Sequence, residues 1–150
     1  MSAMPGDKVF IDSNTFLYTF DEDEIAKRQK AQDWLTRLSE CSCGITNLQV
    51  LNEIASVATR KSSRFADPFF RIDAFAQFGT FPVTFETSLV TRRLHMDLRY
   101  AWWDCLLLTS ALELGCTHFL SEDLQDGQRI EGLTIVDPFA HSPEQIISSP

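Results

Sequence analysis

The 150-residue sequence has no apolar run of 18 residues or more, which is about the length that a membrane-spanning helix needs. Its first residues, MSAMPGD, lack the basic stretch followed by an apolar stretch that marks a secretory signal. We therefore expect a cytoplasmic protein with no membrane contact. Linkers, repeats and low-complexity segments are also missing, so we expect residues 1–150 to form a single domain.

Histidine and cysteine are scarce, and neither is spaced as in a zinc site. Cys41 and Cys43 form a C-x-C pair rather than C-x-x-C. Cys105 and Cys116 lie in apolar runs, where a free thiol behaves as a small hydrophobe. We expect all four cysteines to be reduced and structural. The three histidines show no paired spacing, which argues against a zinc hydrolase.

Basic residues are outnumbered, since 13 Lys and Arg face 21 Asp and Glu and the net charge is −8. This balance weighs against a protein that binds nucleic acid unaided, because phosphates repel it. The bases are nevertheless concentrated in two segments, 60–71 and 92–99. The acidic run at 21–24 is interpreted as a solvated helix start favoured by the helix dipole. One bound divalent ion would bring the charge of −8 to −6, and two would bring it to −4.

Short apolar runs alternate with helical patterns along most of the chain. We predict strands at 8–11, 43–46, 81–84, 117–120 and 133–136. We predict helical segments at 13–18, 23–40, 48–58, 64–78, 86–98 and 102–114, with a loose tail after residue 139. Thr46 or Asn47 can cap the third helix, and Gly115 can end the last. This alternation predicts an α/β fold whose parallel sheet is covered by helices on both faces.

Four carboxylates lie where such a sheet binds ligands, or within otherwise apolar helices. Asp12 directly follows the first strand, and Asp123 follows the fourth after two residues. Glu53 and Asp104 lie in helices among apolar neighbours. Carboxylates in such surroundings are costly to bury unless they are paired or bound to a cation, and several together repel one another. Because oxygen ligands suit Mg²⁺ or Mn²⁺, the set predicts a divalent-metal site.

Each acid taken alone has an ordinary explanation. Asp12 could cap the next helix, and Asp104 could be a first-turn acid favoured by the helix dipole. Glu53 could lie on the solvent side of an amphipathic helix, and Asp123 could be one more acid of an acidic loop. The set is more informative than its members because all four are expected at one sheet.

Two other acidic α/β classes fit less well. A phosphoacceptor receiver domain needs an aspartate at the end of its third strand and a late lysine, but no lysine follows Lys61. A haloacid-dehalogenase-like phosphatase needs D-x-D after the first strand, and Asn14 stands where the second acid would be.

Around these residues the sequence resembles PIN domains, particularly the VapC-type toxins of bacterial toxin–antitoxin pairs. The matching segments are VFIDSN (9–14), QVLNE (49–53), WD (103–104), LSEDLQDG (120–127) and IVDPF (135–139). The resemblance covers roughly residues 8–139. It implies a three-layer, doubly wound α/β sandwich with a central, mainly parallel five-stranded sheet, and it leaves a flexible tail at 140–150.

The resemblance also implies an activity, namely Mg²⁺- or Mn²⁺-dependent cleavage of single-stranded RNA that leaves 5′-phosphate and 3′-hydroxyl ends. By the family pattern, the acidic site consists of Asp12, Glu53, Asp104 and Asp123. The three aspartates would be the metal ligands, and Glu53 would be an outer ligand or would orient the attacking water. Asn14 and Ser121 match the polar residues that support the site. Such toxins are usually homodimers held inactive by a small antitoxin, so both partners are implied.

The basic residues that we expect to grip an RNA backbone are Arg60, Lys61, Arg64 and Arg92. Arg60 lies about two helical turns beyond Glu53 and can share its helix face. Any one of these bases could equally be an ordinary solvated charge. The chain departs from the family at Ala101, where Ser or Thr is common, which removes a helix cap worth about 1 kcal/mol. A catalytically silent PIN-like scaffold that binds RNA or a partner protein is the alternative interpretation.

Overall fold

The computed structural model describes residues 6–147, in which short buried strands alternate with helices. The strands are β1 (Val9–Ile11), β2 (Gly44–Ile45), β3 (His118–Leu120), β4 (Arg129–Ile130) and β5 (Leu133–Val136). The helices are α1 (Ser13–Tyr18), α2 (Ile25–Glu40), α3 (Leu48–Arg60), α4 (Pro68–Phe75), α5 (Phe85–Leu98), α6 (Trp102–Glu113) and α7 (Pro143–Ile146). A 3₁₀ turn, Ala76–Phe78, follows α4.

The five strands form one sheet in the order β2-β1-β3-β5-β4. The first four strands in this order are parallel, and β4, at the edge, runs antiparallel to β5. The three-layer α/β sandwich with a mainly parallel five-stranded sheet is thus confirmed. The chain passes from β1 outward to β2 and then returns to β3 on the other side of β1. The winding therefore changes direction between β1 and β3, the place where open sheets bind ligands.

The centre of the core is formed by the middle strands and by helix α6. All three residues of β1 are buried, and Phe10 stacks on Phe119 of β3 with ring centroids 5.3 Å apart. Every residue from 105 to 111 is buried, so the middle of α6 is enclosed on all sides, as its mostly apolar sequence requires. Within residues 6–147, no helix is long and apolar enough to cross a membrane.

The strand predicted at 81–84 is wrong. Phe81 forms only an isolated bridge with Asn47, Pro82 lacks a donor for a ladder, and Thr84 is the N-cap of α5. The fifth strand is β4, which pairs with β5 across a tight turn at Glu131 and Gly132. Both turn residues have positive φ, 50° and 90°, as in the two-residue hairpin turns that match the twist of a sheet.

The loose tail expected after residue 139 is also wrong as far as residue 147. This segment contains α7, which contacts α2, and both Pro143 and Ile147 are buried. The indole of Trp34 donates to the carbonyls of Pro138 and His141, at 2.9 and 3.1 Å, which fastens the segment to α2. Residues 148–150 lie outside the described residues.

The prediction of four reduced cysteines is wrong for one pair. A disulfide joins Cys41 to Cys43 across Ser42, in the turn after α2. Ser42 has a left-handed backbone, with φ 55°, and the two Cα atoms are 5.2 Å apart. Cys105 and Cys116 are free and buried, as expected for structural thiols.

Candidate metal centre

Asp12 lies at the carboxyl end of β1 and is only 6% exposed. It is also the N-cap of α1, since its Oδ1 accepts a hydrogen bond of 2.6 Å from the amide of Ser13. Asp12 can therefore cap α1 and also act as a metal ligand. One of its carboxylate oxygens bonds to the helix, and the other makes no hydrogen bond within residues 6–147.

Asp123 reaches the same edge of the sheet from β3. Ile11 of β1 pairs with Leu120 of β3, so both strands end at one level. Asn14 Nδ2 donates to Asp123 Oδ2 at 2.5 Å, and the buried Ser121 accepts from the amide of Asp123 at 3.2 Å. The two residues expected to support the site both contact this exposed aspartate.

Glu53 comes from α3, whose start is set by Asn47. The Asn47 side chain accepts from the amide of Val50 at 3.0 Å, which makes it the cap foreseen in the sequence. The apolar side of α3 is buried, so Glu53 lies at its edge, half-buried. Gln49, one turn earlier, donates to its Oε1 at 3.4 Å.

Asp104 comes from the first turn of α6 and is also half-buried. Ala101 occupies the N-cap position and supplies no side-chain hydrogen bond, as expected from the departure at this position. In the part of the chain that the structure describes, the Asp104 carboxylate accepts no hydrogen bond. Its strongest electrostatic neighbour is Asp123, whose negative charge adds to burial in raising the pKa of Asp104.

The four acids lie close enough to affect one another's ionisation. Burial raises the pKa of Asp12 from 3.8 to about 7, the Ser13 amide opposes the rise, and the charges of the other three acids add to it. Burial likewise raises the pKa of Glu53, to which Asp104 contributes. The structure thus brings together the acids predicted from sequence as one electrostatically coupled cluster.

No base of the described residues pairs with this cluster. Among residues 6–147, none of the four carboxylates forms an ion pair with Lys, Arg or His. In the conformation shown, no three acidic, His or Cys side chains of these residues are arranged so that they could hold a metal ion. The donors nevertheless fit an oxygen-ligated divalent cation in type and charge. Binding would require these carboxylates to come closer together than they are in this conformation.

The other acids of the Asp123 loop have partners elsewhere. Glu122 accepts from the Tyr18 hydroxyl at 2.7 Å and from Lys27 at 2.9 Å. Asp126 accepts from the Asp137 amide at 2.8 Å and lies 2.7 Å from His141 Nε2. These contacts support the choice of Asp123 over its neighbours. Tyr18 and Lys27 were not singled out in the sequence, because nothing local marks a residue whose partner is about a hundred positions away.

Arg64, which we expected to bind RNA, instead pairs with a buried aspartate. Its guanidinium donates two hydrogen bonds to Asp21, at 2.8 and 2.7 Å, and Asp21 is 1% exposed. Asp21 therefore does not belong to a solvated helix start, and α2 begins only at Ile25. Burial would raise the pKa of Asp21, but the Arg64 and Asp23 hydrogen bonds outweigh it and lower the pKa.

Asp21→Asn should lower the free energy of unfolding by about 2 kcal/mol, because a charged, two-bond contact to Arg64 is lost in a buried place. Urea denaturation at pH 7 would measure the change. Asp23→Asn is the matched control, since Asp23 is exposed and lies 3.7 Å from the same guanidinium. Equal losses in both variants would show that the buried pair has no special weight.

The remaining bases are placed unequally. A groove of about 240 Å³ between α1 and the end of α3 is lined by residues that include Asn14, Lys61 and Arg64. Lys61 is exposed there, in the same groove as Asn14, which donates to Asp123. Arg60 is exposed and donates to the Ser56 carbonyl of its own helix at 3.1 Å, and Arg92 is exposed on α5. The geometry therefore favours Lys61 as a contact for a phosphate backbone.

Residues 9–129 match the PIN domain family, so the chain belongs to that family. The family is one of nucleases. The match includes all four acids and both supporting polar residues. A comparison with curated protein sequences finds no match.

Two solved structures are similar to the chain. One is a toxin–antitoxin complex from Klebsiella pneumoniae, with 15% identity, a TM-score of 0.65, and coverage of 87% of this chain and 98% of that one. The other is VapBC2 from Rickettsia felis bound to a DNA fragment from its promoter, with 12% identity, a TM-score of 0.61, and coverage of 85% and 96%. At these identities the likeness confirms the fold.

Proposed function

We propose that the chain is a divalent-metal-dependent endoribonuclease and the toxin of a toxin–antitoxin pair, acting in the cytoplasm on single-stranded or structured RNA. The observation that carries the proposal is the cluster of four carboxylates at the β1–β3 switch point, which no cation of the described residues neutralises. Membership of a nuclease family supports the reaction class. The two similar toxin complexes support an antitoxin as partner.

In this proposal Asp12, Asp104 and Asp123 would hold Mg²⁺ or Mn²⁺. The bound ion would lower the pKa of a water molecule and offset charge on the phosphate. Glu53, held by Gln49, would orient the attacking water. Asn14 would keep the exposed Asp123 carboxylate directed at the site, and Lys61 would contact the RNA backbone near Asn14.

A homodimer is part of the proposal, and helix α5 offers an apolar surface for a protein partner. Phe85, Leu89 and Met96 are exposed and recur at a helical spacing, so they share one side of α5, with the exposed Arg92 among them. Exposed apolar stripes of this kind are typical of interaction sites. Sedimentation of the purified chain would show whether it forms a dimer.

A catalytically silent scaffold is the second candidate. It is favoured by one observation, that no three candidate ligands in residues 6–147 are already arranged to hold a metal ion. A scaffold of this kind would bind RNA or a protein without Mn²⁺. Calorimetric titration of the wild-type protein with Mn²⁺ separates the two candidates, because only the nuclease requires the ion.

Asp104→Asn should weaken Mn²⁺ binding at least about tenfold and reduce cleavage of single-stranded RNA roughly a hundredfold or more, because the variant loses a ligand charge. Titration calorimetry and a gel assay that identifies 5′-phosphate ends are the measurements. Asp97→Asn, on the exposed side of α5, is the control and should change neither. Full activity in Asp104→Asn would contradict the proposed site.

A further inference from the structure

The loop that carries Asp123, residues 121–128, is fastened to the rest of the chain near both of its ends. At its start, Glu122 is held by Tyr18 of α1 and Lys27 of α2. Toward its other end, the loop bonds to Tyr100, which lies between α5 and α6. The second connection is informative because it leads to the helix that carries Asp104.

The connection is made by a single phenol. The Tyr100 hydroxyl accepts a hydrogen bond of 3.2 Å from the amide of Gln125 and donates one to the side-chain oxygen of Gln128. These two residues lie two and five positions after Asp123. The hydroxyl oxygen of Tyr100 therefore holds both the backbone and a side chain of the loop.

Tyr100 is itself held in place. Arg99 adopts a left-handed backbone with φ 62°, and its amide donates to the His95 carbonyl at 3.1 Å. The carbonyl of Tyr100 accepts from His95 Nδ1 at 2.8 Å and from the Cys105 thiol at 3.6 Å. The backbone of Tyr100 is thus anchored to the end of α5 and to the first turns of α6, where Ala101 supplies no cap.

We propose that Tyr100 is a positioning residue that sets the separation of Asp104 and Asp123, a role that rests on the proposed function. These two carboxylates repel each other and have no cationic partner among the described residues. Asp123 lies on an exposed loop and could relieve the repulsion by moving outward. The Tyr100 hydroxyl opposes that movement, so the backbone that carries Asp123 stays in place and the ligands have less far to move when an ion binds.

The test is Tyr100→Phe, which removes the hydroxyl and keeps the ring. Removing an outer contact of this kind should weaken Mn²⁺ binding about tenfold and lower kcat by a similar factor while leaving KM for RNA unchanged. In the metal-free protein, exchange of the Gln125 amide hydrogen should become faster. Gln128→Ala should weaken Mn²⁺ binding in the same direction, and the double variant should be no worse than the poorer single one.

Thr91→Val is the control, because it removes a buried hydroxyl that joins α5 to α6 through Thr109 at 3.1 Å, and it makes no contact with the Asp123 loop. It should lower stability without changing Mn²⁺ affinity. An equal loss of affinity in Thr91→Val, or unchanged affinity and exchange in Tyr100→Phe, would overturn the role of Tyr100. Wild-type protein that binds no Mn²⁺ would overturn the proposed function and this role together, whereas the exchange measurement on metal-free protein would still report on the connection.

Discussion

Asp12→Asn is expected to lose Mn²⁺-dependent RNA cleavage by more than roughly a hundredfold and, at the same time, to make the metal-free protein more stable by roughly 2–4 kcal/mol at pH 7. Activity falls because a buried ligand loses its charge. Stability rises because Asn keeps the oxygen that caps α1 but adds no negative charge to the cluster. Single-turnover cleavage and urea denaturation in EDTA would measure the two effects.

The control for this prediction is Asp73→Asn. Asp73 is exposed on α4, outside the carboxylate cluster, and its substitution should leave cleavage and stability unchanged. Asp12→Asn is expected to lower cleavage and to raise stability. These opposite changes distinguish a functional carboxylate from a structural one. A variant that is both inactive and less stable would show that Asp12 is a structural residue, and an active variant would remove it from the proposed site.

The stability difference between Asp12→Asn and the wild-type protein should depend strongly on pH. The pKa of Asp12 is about 7 in the folded chain and 3.8 ordinarily, so the folded state binds the proton more tightly. This contribution to stability is fully present below about pH 4 and is lost as the pH rises toward 7 and beyond. The advantage of the Asn variant should therefore grow by up to about 1.4 kcal/mol per pH unit, reaching roughly 4 kcal/mol above pH 7.

Urea denaturation of both proteins in EDTA from pH 4.5 to pH 8 would give the difference curve, in which titrating groups outside the carboxylate cluster cancel. Saturating Mn²⁺ should reverse the difference above pH 7, since the ion stabilises the protein that binds it. Binding should also release a proton near pH 7, because Asp12 must be ionised to act as a ligand. A difference curve that is flat with pH would contradict the perturbed ionisation of Asp12.

The strands and helices of this chain were predicted correctly where the local apolar pattern was strong. They were predicted wrongly where contacts between distant residues determined the structure. Strand β1 is wholly apolar and strands β3 and β5 are mostly so, and a parallel sheet leaves such runs no solvent face. The run at 81–84 was misread because Pro82 and the N-cap Thr84 prevent a ladder there. Strand β4 was missed because two residues carry little pattern, although the Glu131-Gly132 turn was a usable signal.

The acids of the candidate site were predicted as a set, from positions after a strand or inside an apolar helix and, for Asp123, chiefly from the family resemblance. Their partners were not. Arg64 has the same local appearance as Lys61, yet it bonds to Asp21, 43 residues earlier, while Lys61 stays exposed. Tyr100 likewise shows nothing in sequence of its bonds to Gln125 and Gln128.

The sequence by itself determined the α/β class, the direction in which β1 and β3 present their carboxyl ends, and the residue types of the acidic cluster, because apolar periodicity and isolated carboxylates are local properties. Only the tertiary structure decided which charges are neutralised. Glu122, Asp126 and Asp21 are paired with bases that are distant in sequence, whereas none of the four acids of the candidate site forms an ion pair with a base of residues 6–147. That division follows from packing, since burial and the approach of side chains remote in sequence set both the pKa of Asp12 and the contacts of Tyr100.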